Sequence, residues 1–425
     1  ICNASGERIR PRSRCKPMRE LSPEIRKVIA VDSSKQNSWG KQCALFVGAP
    51  LLLLGMILSI INYAGGPDRF IAAYHVGFVF LWALSLGSLF FVALHHAAGA
   101  VWSVVVRRVA EIMSLGIILA GIFYLPLLFL SGRIFPWLDP DVVAQSTLLQ
   151  EKSVYLNFPF FAARGLGFFL LWILFAGAFF AWSLHQDRNN PTVPPRYEAR
   201  RLAPIFLLVF AFSLALCAVD WLMSLDPLWF SSLFLVYVFA GVVLTGLAGL
   251  TLAVLALRRS GLLGASIISA DHLYNLGGLL FAFSCFWGYI ALSQYLLIWY
   301  GNLPEETIWY VHRQKHGAAA AGFVMIALRF ALPFVVLISR PAKKSPAILL
   351  IMSVCVLAGQ WVDLQWLVMP ALQEQAPVLA VFDLGPLFVF IALHIMLFGI
   401  LVARYPLLPQ GDPKLASSLS FEVKI

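Results

Sequence analysis

Long apolar runs recur along the chain, and short polar stretches separate them. Each run is continuous, without the alternation of apolar and polar residues that a membrane-spanning β-strand shows. A helix needs about 20 residues to cross a hydrocarbon core of about 30 Å, and ten runs are long enough. Their predicted bounds are 43–62, 71–94, 109–130, 160–184, 202–223, 229–257, 270–299, 317–338, 347–368 and 384–403. The pattern therefore predicts an all-α polytopic membrane protein with ten transmembrane helices.

Composition supports a membrane protein rather than a soluble one. Of the 425 residues, 60% are hydrophobic and only 12% are charged, which is too little charge to cover a soluble surface. The net charge of +10 does not indicate a nucleic-acid partner, because the Lys and Arg residues lie between apolar runs and form no single basic face.

The positions of the basic residues predict the orientation. If the N-terminus is inside, 24 of the 31 Lys and Arg residues fall in inner segments and 5 in outer loops, so the positive-inside rule predicts two cytoplasmic termini. Residues 1–42 are polar and basic, and we expect a disordered tail there. Residues 1–17 precede the first methionine, Met18, and we expect that they are not translated. Residues 405–425 are expected to form a cytoplasmic C-terminal tail.

Several ionisable or polar residues lie inside or at the ends of the apolar runs, where they are costly unless paired or hydrated. Their order from the outer to the inner face predicts a ladder for proton transfer. The candidates for the proton pathway are Asp220, Asp363, His394, Asp271, His272 and Glu111. The candidates for charge pairing or for lining the pathway are Arg164, Arg329 and Gln294.

A purely structural role would also explain most of these residues. Arg164 can neutralise Asp220, and Arg329 can neutralise Asp271 or Asp363, fixing the packing of the helices. Glu111, Asp271 and His272 stand at the predicted starts of helices, where polar side chains are favourable. His394 is the one imidazole deep in a predicted helix, where it can relay a proton or donate to a quinol oxygen.

Cysteine and histidine spacing gives no sign of a metal or redox site. The sequence has no CxxC motif and no Cys/His cluster of the kind that holds zinc, c-type haem or an iron–sulfur cluster. We therefore assign no catalytic residue, metal ligand or bound cofactor to this chain.

A weak internal repeat predicts how the helices are grouped. Asp220 lies seven residues before Pro227, Asp363 lies seven residues before Pro370, and both segments end an apolar run. If the two runs are equivalent, residues 71–223 form one four-helix bundle and residues 229–368 form a second. Helices 43–62 and 384–403 then flank the two bundles.

The segment FWGYIALSQYLLIWYGNLPEETIWY (286–310) is long and unusual. It strongly resembles the corresponding helix of the ActF membrane subunits of alternative complex III, a bacterial quinol:electron acceptor oxidoreductase. These subunits are related to the NrfD-like membrane subunits of polysulfide reductases. The resemblance extends over the ten-helix layout, but residue-by-residue matching is confined to Asp271–Tyr310.

This resemblance implies a place in the bacterial inner membrane and a set of partners. It implies a homologous ten-span ActC-like subunit, an iron–sulfur subunit, and multihaem and monohaem cytochrome c subunits. Quinol would be bound in the complex, and haem c and iron–sulfur clusters would be held by the partners. The implied role of this chain is to scaffold the complex and to provide a proton pathway coupled to quinol oxidation.

Two other functions remain open from the sequence. In one, this chain itself binds quinol, using His394 with a nearby carboxylate and the aromatic residues of the seventh run. In the other, it is a stand-alone secondary transporter, although no pair of Gly- or Pro-broken runs at matching positions indicates a site at the membrane midplane.

Overall fold

The computed structural model describes residues 33–188, 196–373 and 377–423. The expected untranslated segment 1–17, and most of the expected disordered tail, lie outside these residues. Ten long apolar helices confirm the predicted all-α membrane fold. We number them α1 to α10: Ser33–Gly65, Pro67–Ala97, Val104–Arg133, Phe158–Arg188, Ala199–Leu225, Ser232–Arg259, Ala270–Gly301, Ala318–Leu337, Pro346–Leu372 and Val381–Arg404.

Helix α1 begins earlier than predicted, and the expectation of disorder is therefore wrong for residues 33–42. This polar stretch is helical because it packs on the end of α10. Gln36 Nε2 donates to the carbonyl oxygens of Val402 (2.5 Å) and Tyr405 (2.6 Å). A helix at residues 33–42 could not be predicted from apolar runs, because the stretch is polar and its helical structure depends on contacts with a distant part of the chain.

Helix α2 is the central element of the molecule. It is apolar all round, and every residue of its most apolar stretch is buried, whereas only 11% of the corresponding stretch of α1 is buried. A helix that is hydrophobic on every side is stable where other helices surround it. Helices α3, α5, α6, α9 and α10 all pack against α2.

The helix contacts form two rings. In the first, α2 to α5 contact one another in order and α5 returns to α2; in the second, α6 to α9 do the same and α9 returns to α6. Helices α1 and α10 pack on each other and on α2. We call the α2–α5 ring the first half and the α6–α9 ring the second half. The face that carries Ser33 and Arg404 is called the termini face.

The two halves meet most closely where α2 crosses α6. A Cβ atom added to Gly87 would lie 2.2 Å from the Val242 oxygen, and one added to Gly246 would lie 2.4 Å from the Gly87 carbonyl carbon. Glycine at both positions allows the two backbones to touch, and such close packing is a main source of helix association in lipid. Because α2 and α6 cross the membrane in the same direction, this contact lies between equivalent helices of the two rings.

At least three of the described spanning helices contain irregular turns, and in α1 the irregular turn is the π-helical segment Cys43–Gly48. Helix α3 is interrupted between Ser114 and Ile117, where Gly116 lies against α10. Helix α8 contains a π-helical turn, Ala327–Ala331, which includes Arg329. Single π turns inside α-helices are frequent at functional sites.

Replacement of Gly87 by Ala should destabilise the fold by about 1–3 kcal/mol, because the added methyl group overlaps the α6 backbone. Thermal unfolding of the purified protein in detergent measures the change. Gly177→Ala is the matched control, since no atom lies within 4 Å of its added Cβ. Equal melting temperatures for the two variants would contradict the close crossing.

Candidate functional site

Arg164 of α4 and Asp220 of α5 form a bidentate ion pair. Arg164 Nε and Nη2 each donate to one carboxylate oxygen of Asp220, both at 2.9 Å. Arg164 Nη1 also donates to the Tyr155 carbonyl oxygen at 3.1 Å, and the guanidinium lies 3.9 Å from the Tyr155 ring centroid. Both charged side chains are buried, so the pair neutralises two charges that would be costly in hydrocarbon.

Arg329 of α8 and Asp363 of α9 form the second buried pair. Arg329 Nη1 donates to Asp363, and the Tyr237 hydroxyl of α6 donates to the other carboxylate oxygen. The Arg329 guanidinium lies 4.3 Å from the Trp287 ring centroid. Of the two partners that the sequence allowed for Arg329, the structure therefore selects Asp363 and not Asp271.

These two pairs occupy equivalent positions in the two halves. Each joins the third and the fourth helix of its half, with the arginine on the third and the aspartate on the fourth. This is a second feature that agrees with the predicted internal repeat, and it was not itself predicted. The signal for it in the sequence is that the two arginines inside apolar runs lie four runs apart.

The Asp363 pair belongs to a larger polar cluster between the halves. Thr245 Oγ1 donates to Gln360 Oε1 at 2.9 Å. Gln360, Asp363 and Tyr237 line a cavity of about 10 Å³, whose other wall includes Trp82 of α2. A cavity of this size has room for about one water molecule.

The Asp363 cluster contains a buried guanidinium with unpaired hydrogen-bond donors. Arg329 is fully buried, yet its Nε and Nη2 atoms have no hydrogen-bond partner in the described part of the chain. A buried guanidinium with open donors favours a hydrogen-bond acceptor such as water beside it.

Glu111 lies in a cluster of charges at the termini face. Helix α3 begins at Val104, so Glu111 does not open the helix as predicted from the apolar run. Its carboxylate lies 3.4 Å from Arg107 Nε and 3.1 Å from Arg108 Nε. Arg108 also pairs with Asp187 of α4 at 2.8 Å.

Asp271 and His272 begin α7, as predicted, and they contact the C-terminal segment. His272 forms a capping box with Ser269, in which each side chain bonds the other residue's backbone N–H. His272 Nε2 lies 3.0 Å from the Ser418 carbonyl oxygen. Asp271 pairs with Lys344 at 2.6 Å and accepts from the Val423 backbone N–H at 3.3 Å.

The C-terminal segment 405–423, which we call the strap, crosses the termini face between the two halves. Its contacts with the first half include Asp412 with Arg107 (2.5 Å), and the Gly411 backbone N–H donating to Asp187 (2.9 Å). Its contacts with the second half are those of Asp271 and His272. The predicted tail is thus an ordered connection, and this explains why polar residues stand at the start of α7.

His394 of α10 is buried and faces the interruption of α3. A Cβ atom added to Gly116 would lie 2.2 Å from His394 Nδ1 and 2.6 Å from the Ser85 hydroxyl oxygen. Neither ring nitrogen of His394, nor the Ser85 hydroxyl, has a hydrogen-bond partner among residues 33–188, 196–373 and 377–423. Gln294, also predicted to line a pathway, is buried in α7.

The structure does not bring all the predicted residues into one site. Asp220, Asp363, Glu111 and Asp271 each make their hydrogen bonds and ion pairs within a separate cluster of the described residues. A proton route between the faces would therefore need water molecules between the clusters.

The described residues contain no group of three His, Cys, Asp or Glu side chains that could hold a metal ion. Comparison with protein-family models and with curated proteins gives no match for this chain. The resemblance to the ActF subunits therefore stays a prediction from the sequence.

Replacing Arg329 by Gln should destabilise the protein by about 3–5 kcal/mol, because Asp363 would keep a buried and uncompensated charge. The double variant Arg329→Gln/Asp363→Asn should be more stable than Arg329→Gln alone, because no charge remains unpaired. Thermal unfolding of the two single variants and the double variant measures the coupling. Additive effects would contradict the pairing.

The strap should be held to the termini face by the charge of Asp412. Burial raises the pKa of Asp412, but the neighbouring Arg107 guanidinium outweighs it and holds the pKa below its ordinary value. The stabilisation is thus present above the ordinary carboxyl pKa of about 3.9 and is lost as the pH falls through the lowered pKa.

The protection factors of the amides of residues 405–423, which correct for the pH dependence of intrinsic exchange, should therefore be unchanged between pH 7 and pH 5 and should fall below about pH 4. Asp412→Asn should show the lower protection factors already at pH 7. Glu422→Gln is the control, since Glu422 lies in the strap and has no ion pair among the described residues. Slow exchange in Asp412→Asn at pH 7 would disprove the anchoring role.

Proposed function

We propose that this chain is an integral membrane subunit of a quinol-oxidising respiratory complex of the alternative complex III type. In this proposal it scaffolds the complex and carries part of a proton pathway coupled to quinol oxidation on partner subunits. The ten-helix fold with two halves and the resemblance of residues 286–310 to ActF subunits support the proposal.

The observation that carries the proton role is the Asp363 cluster. A carboxylate, a phenol and an amide surround a cavity for about one water molecule, deep in the fold and between the two halves. Asp363 can accept a proton when its ion pair with Arg329 opens. The π turn that carries Arg329 gives α8 a less regular backbone at that point, which favours such movement.

The Asp220 cluster serves a different purpose in this proposal. Its bidentate geometry satisfies both carboxylate oxygens, and Arg164 has a further partner in the Tyr155 carbonyl. A bidentate pair of this kind stabilises the packing of α4 and α5. Asp363 is therefore the first carboxylate to test.

The proposed partners are an ActC-like ten-span subunit, an iron–sulfur subunit and cytochromes c, in a bacterial inner membrane. An exposed surface of α7 supports the proposal that another protein contacts this chain within the membrane. Tyr289 lies well inside α7, yet 66% of it is exposed, so its hydroxyl would face hydrocarbon without a partner. A polar group at that depth favours contact with another protein.

Tyr237→Phe tests the proton role without breaking the Arg329–Asp363 pair, because it removes only the hydroxyl that donates to Asp363. In the purified complex reconstituted in liposomes, the number of protons moved per quinol oxidised should fall at least twofold. The rate of quinol oxidation with an uncoupler present should stay close to that of the unmodified complex.

Tyr63→Phe is the matched control, since it removes only a hydroxyl from an exposed tyrosine near the end of α1. An unchanged proton ratio in Tyr237→Phe would remove the proton role and leave the scaffold role. Membership of the complex has its own test, because a tagged chain isolated in mild detergent should bring down haem c and iron–sulfur clusters. Recovery of the chain without either group would contradict membership.

A second candidate function, quinol binding by this chain, is favoured by one observation. His394 is buried beside Ser85 with both ring nitrogens open, so it can donate to a quinone oxygen. The predicted aromatic wall does not join it, since Trp287 stacks on Arg329 in the second half. Photoaffinity labelling with a quinone analogue distinguishes the two functions, because label confined to partner subunits excludes binding here.

A further inference from the structure

A cavity of about 40 Å³ lies at the termini face, among the ends of α2, α3, α4 and α5 and against the strap. It lies in the first half, away from the Asp363 cluster. A buried water molecule needs about 10–15 Å³, so the cavity holds about three waters or the oxygens of one small anion.

Three cations converge on this cavity. Arg107 and Arg200 line it from α3 and α5, and Lys414 lines it from the strap. Gly99, between α2 and α3, has the left-handed φ of 60°, and Lys414 Nζ donates to its carbonyl oxygen. A Cβ added to Gly99 would lie 3.4 Å from Lys414 Nζ and 4.0 Å from Arg200 Cζ. The Lys414 ammonium and the Arg200 guanidinium therefore both lie close to Gly99.

The charge of the surrounding cluster decides which anion fits. Arg107, Arg108, Arg200 and Lys414 supply four positive charges, and Glu111, Asp187 and Asp412 supply three negative charges. Arg108, Glu111 and Asp187 do not line the cavity but connect to Arg107 through ion pairs, and these seven side chains together carry a net charge of +1. A phosphodiester, with one negative charge, balances this excess, whereas a phosphomonoester with nearly two charges exceeds it.

The cavity also contains a hydrogen-bonding group that lacks a partner. The His96 Nε2 atom is buried and has no hydrogen-bond partner in the described ranges, while its ring stacks on Phe179 with centroids 5.6 Å apart. An imidazole N–H at this position can donate to a phosphate oxygen.

The position of the cavity matches the depth of lipid headgroups. His96 lies in the last turn of α2, and Arg200 lies near the N-terminal end of α5 at the same face. Phe179, Trp182 and Ala199 supply apolar lining between α4 and α5, and Trp residues are typical of the membrane interface. Basic pockets between spanning helices bind anionic lipid headgroups.

We propose that this cavity binds one singly charged phosphate group, held by Arg200, Lys414 and His96. The phosphodiester of an anionic phospholipid is one source of this group, and the monoanion of soluble inorganic phosphate is the other. This inference does not depend on the proposed respiratory function, because the cavity shares no residue with the Asp363 cluster.

The test measures ligand retained by the full-length purified chain. The protein is incorporated into nanodiscs of phosphatidylcholine with or without labelled phosphatidylglycerol, then delipidated in mild detergent and examined by native mass spectrometry. We expect about one phosphatidylglycerol per chain, retained in preference to phosphatidylcholine. Arg200→Gln and His96→Phe should each lower retention at least fivefold, and Phe at position 96 preserves the stacking on Phe179.

Arg340→Gln is the matched control, because Arg340 is an exposed arginine on the termini face, outside the cavity. A second arm measures binding of labelled inorganic phosphate to the delipidated chain. Phosphate binding that Arg200→Gln abolishes, without retention of phosphatidylglycerol, identifies the soluble ion as the source. Equal retention of both lipids with no phosphate binding, or equal behaviour of Arg200→Gln and Arg340→Gln, would overturn the proposal.

Discussion

An ionised side chain in hydrocarbon costs several kcal/mol unless an opposite charge lies beside it, and this constraint governs the construction of both halves. Arg164 with Asp220 and Arg329 with Asp363 each link the third and fourth helices of a ring. Sliding or rotation of those helices would separate the charges. The pairs therefore select one packing arrangement from the many that apolar surfaces alone would permit.

Apolar contact discriminates poorly between arrangements in a membrane, since lipid tails are as apolar as the helices. At the centre of the molecule, close backbone contact selects the packing of the helices. There Gly87 and Gly246 bring α2 and α6 into backbone contact. Helix α2 is hence both the core of the first half and the surface on which the second half packs. The Asp363 cavity lies along this junction, so any change in packing between the halves changes the surroundings of that carboxylate.

The sequence predicted the ten helices because each depends on a local property, a long apolar run. It predicted the buried ionisable residues for the same reason, and it predicted the pairing of Arg164 with Asp220. It left Arg329 with two possible partners, Asp271 and Asp363. Contacts of Asp271 and His272 involve Val423 and Ser418, which lie 152 and 146 residues later in the chain. The periodicity of apolar residues cannot predict contacts between such distant residues. The start of α1 at Ser33 was not predicted for the same reason, because it depends on packing against α10.

The strap follows all ten helices in the sequence, so it leaves the ribosome after them. Its binding sites, at Arg107, Asp187, Asp271 and His272, exist only after α3, α4 and α7 have been inserted and assembled. Docking of the strap thus comes after biosynthesis of the whole membrane domain. A chain whose translation stops early, after α10, would contain all ten helices and still lack the fastening between its two rings.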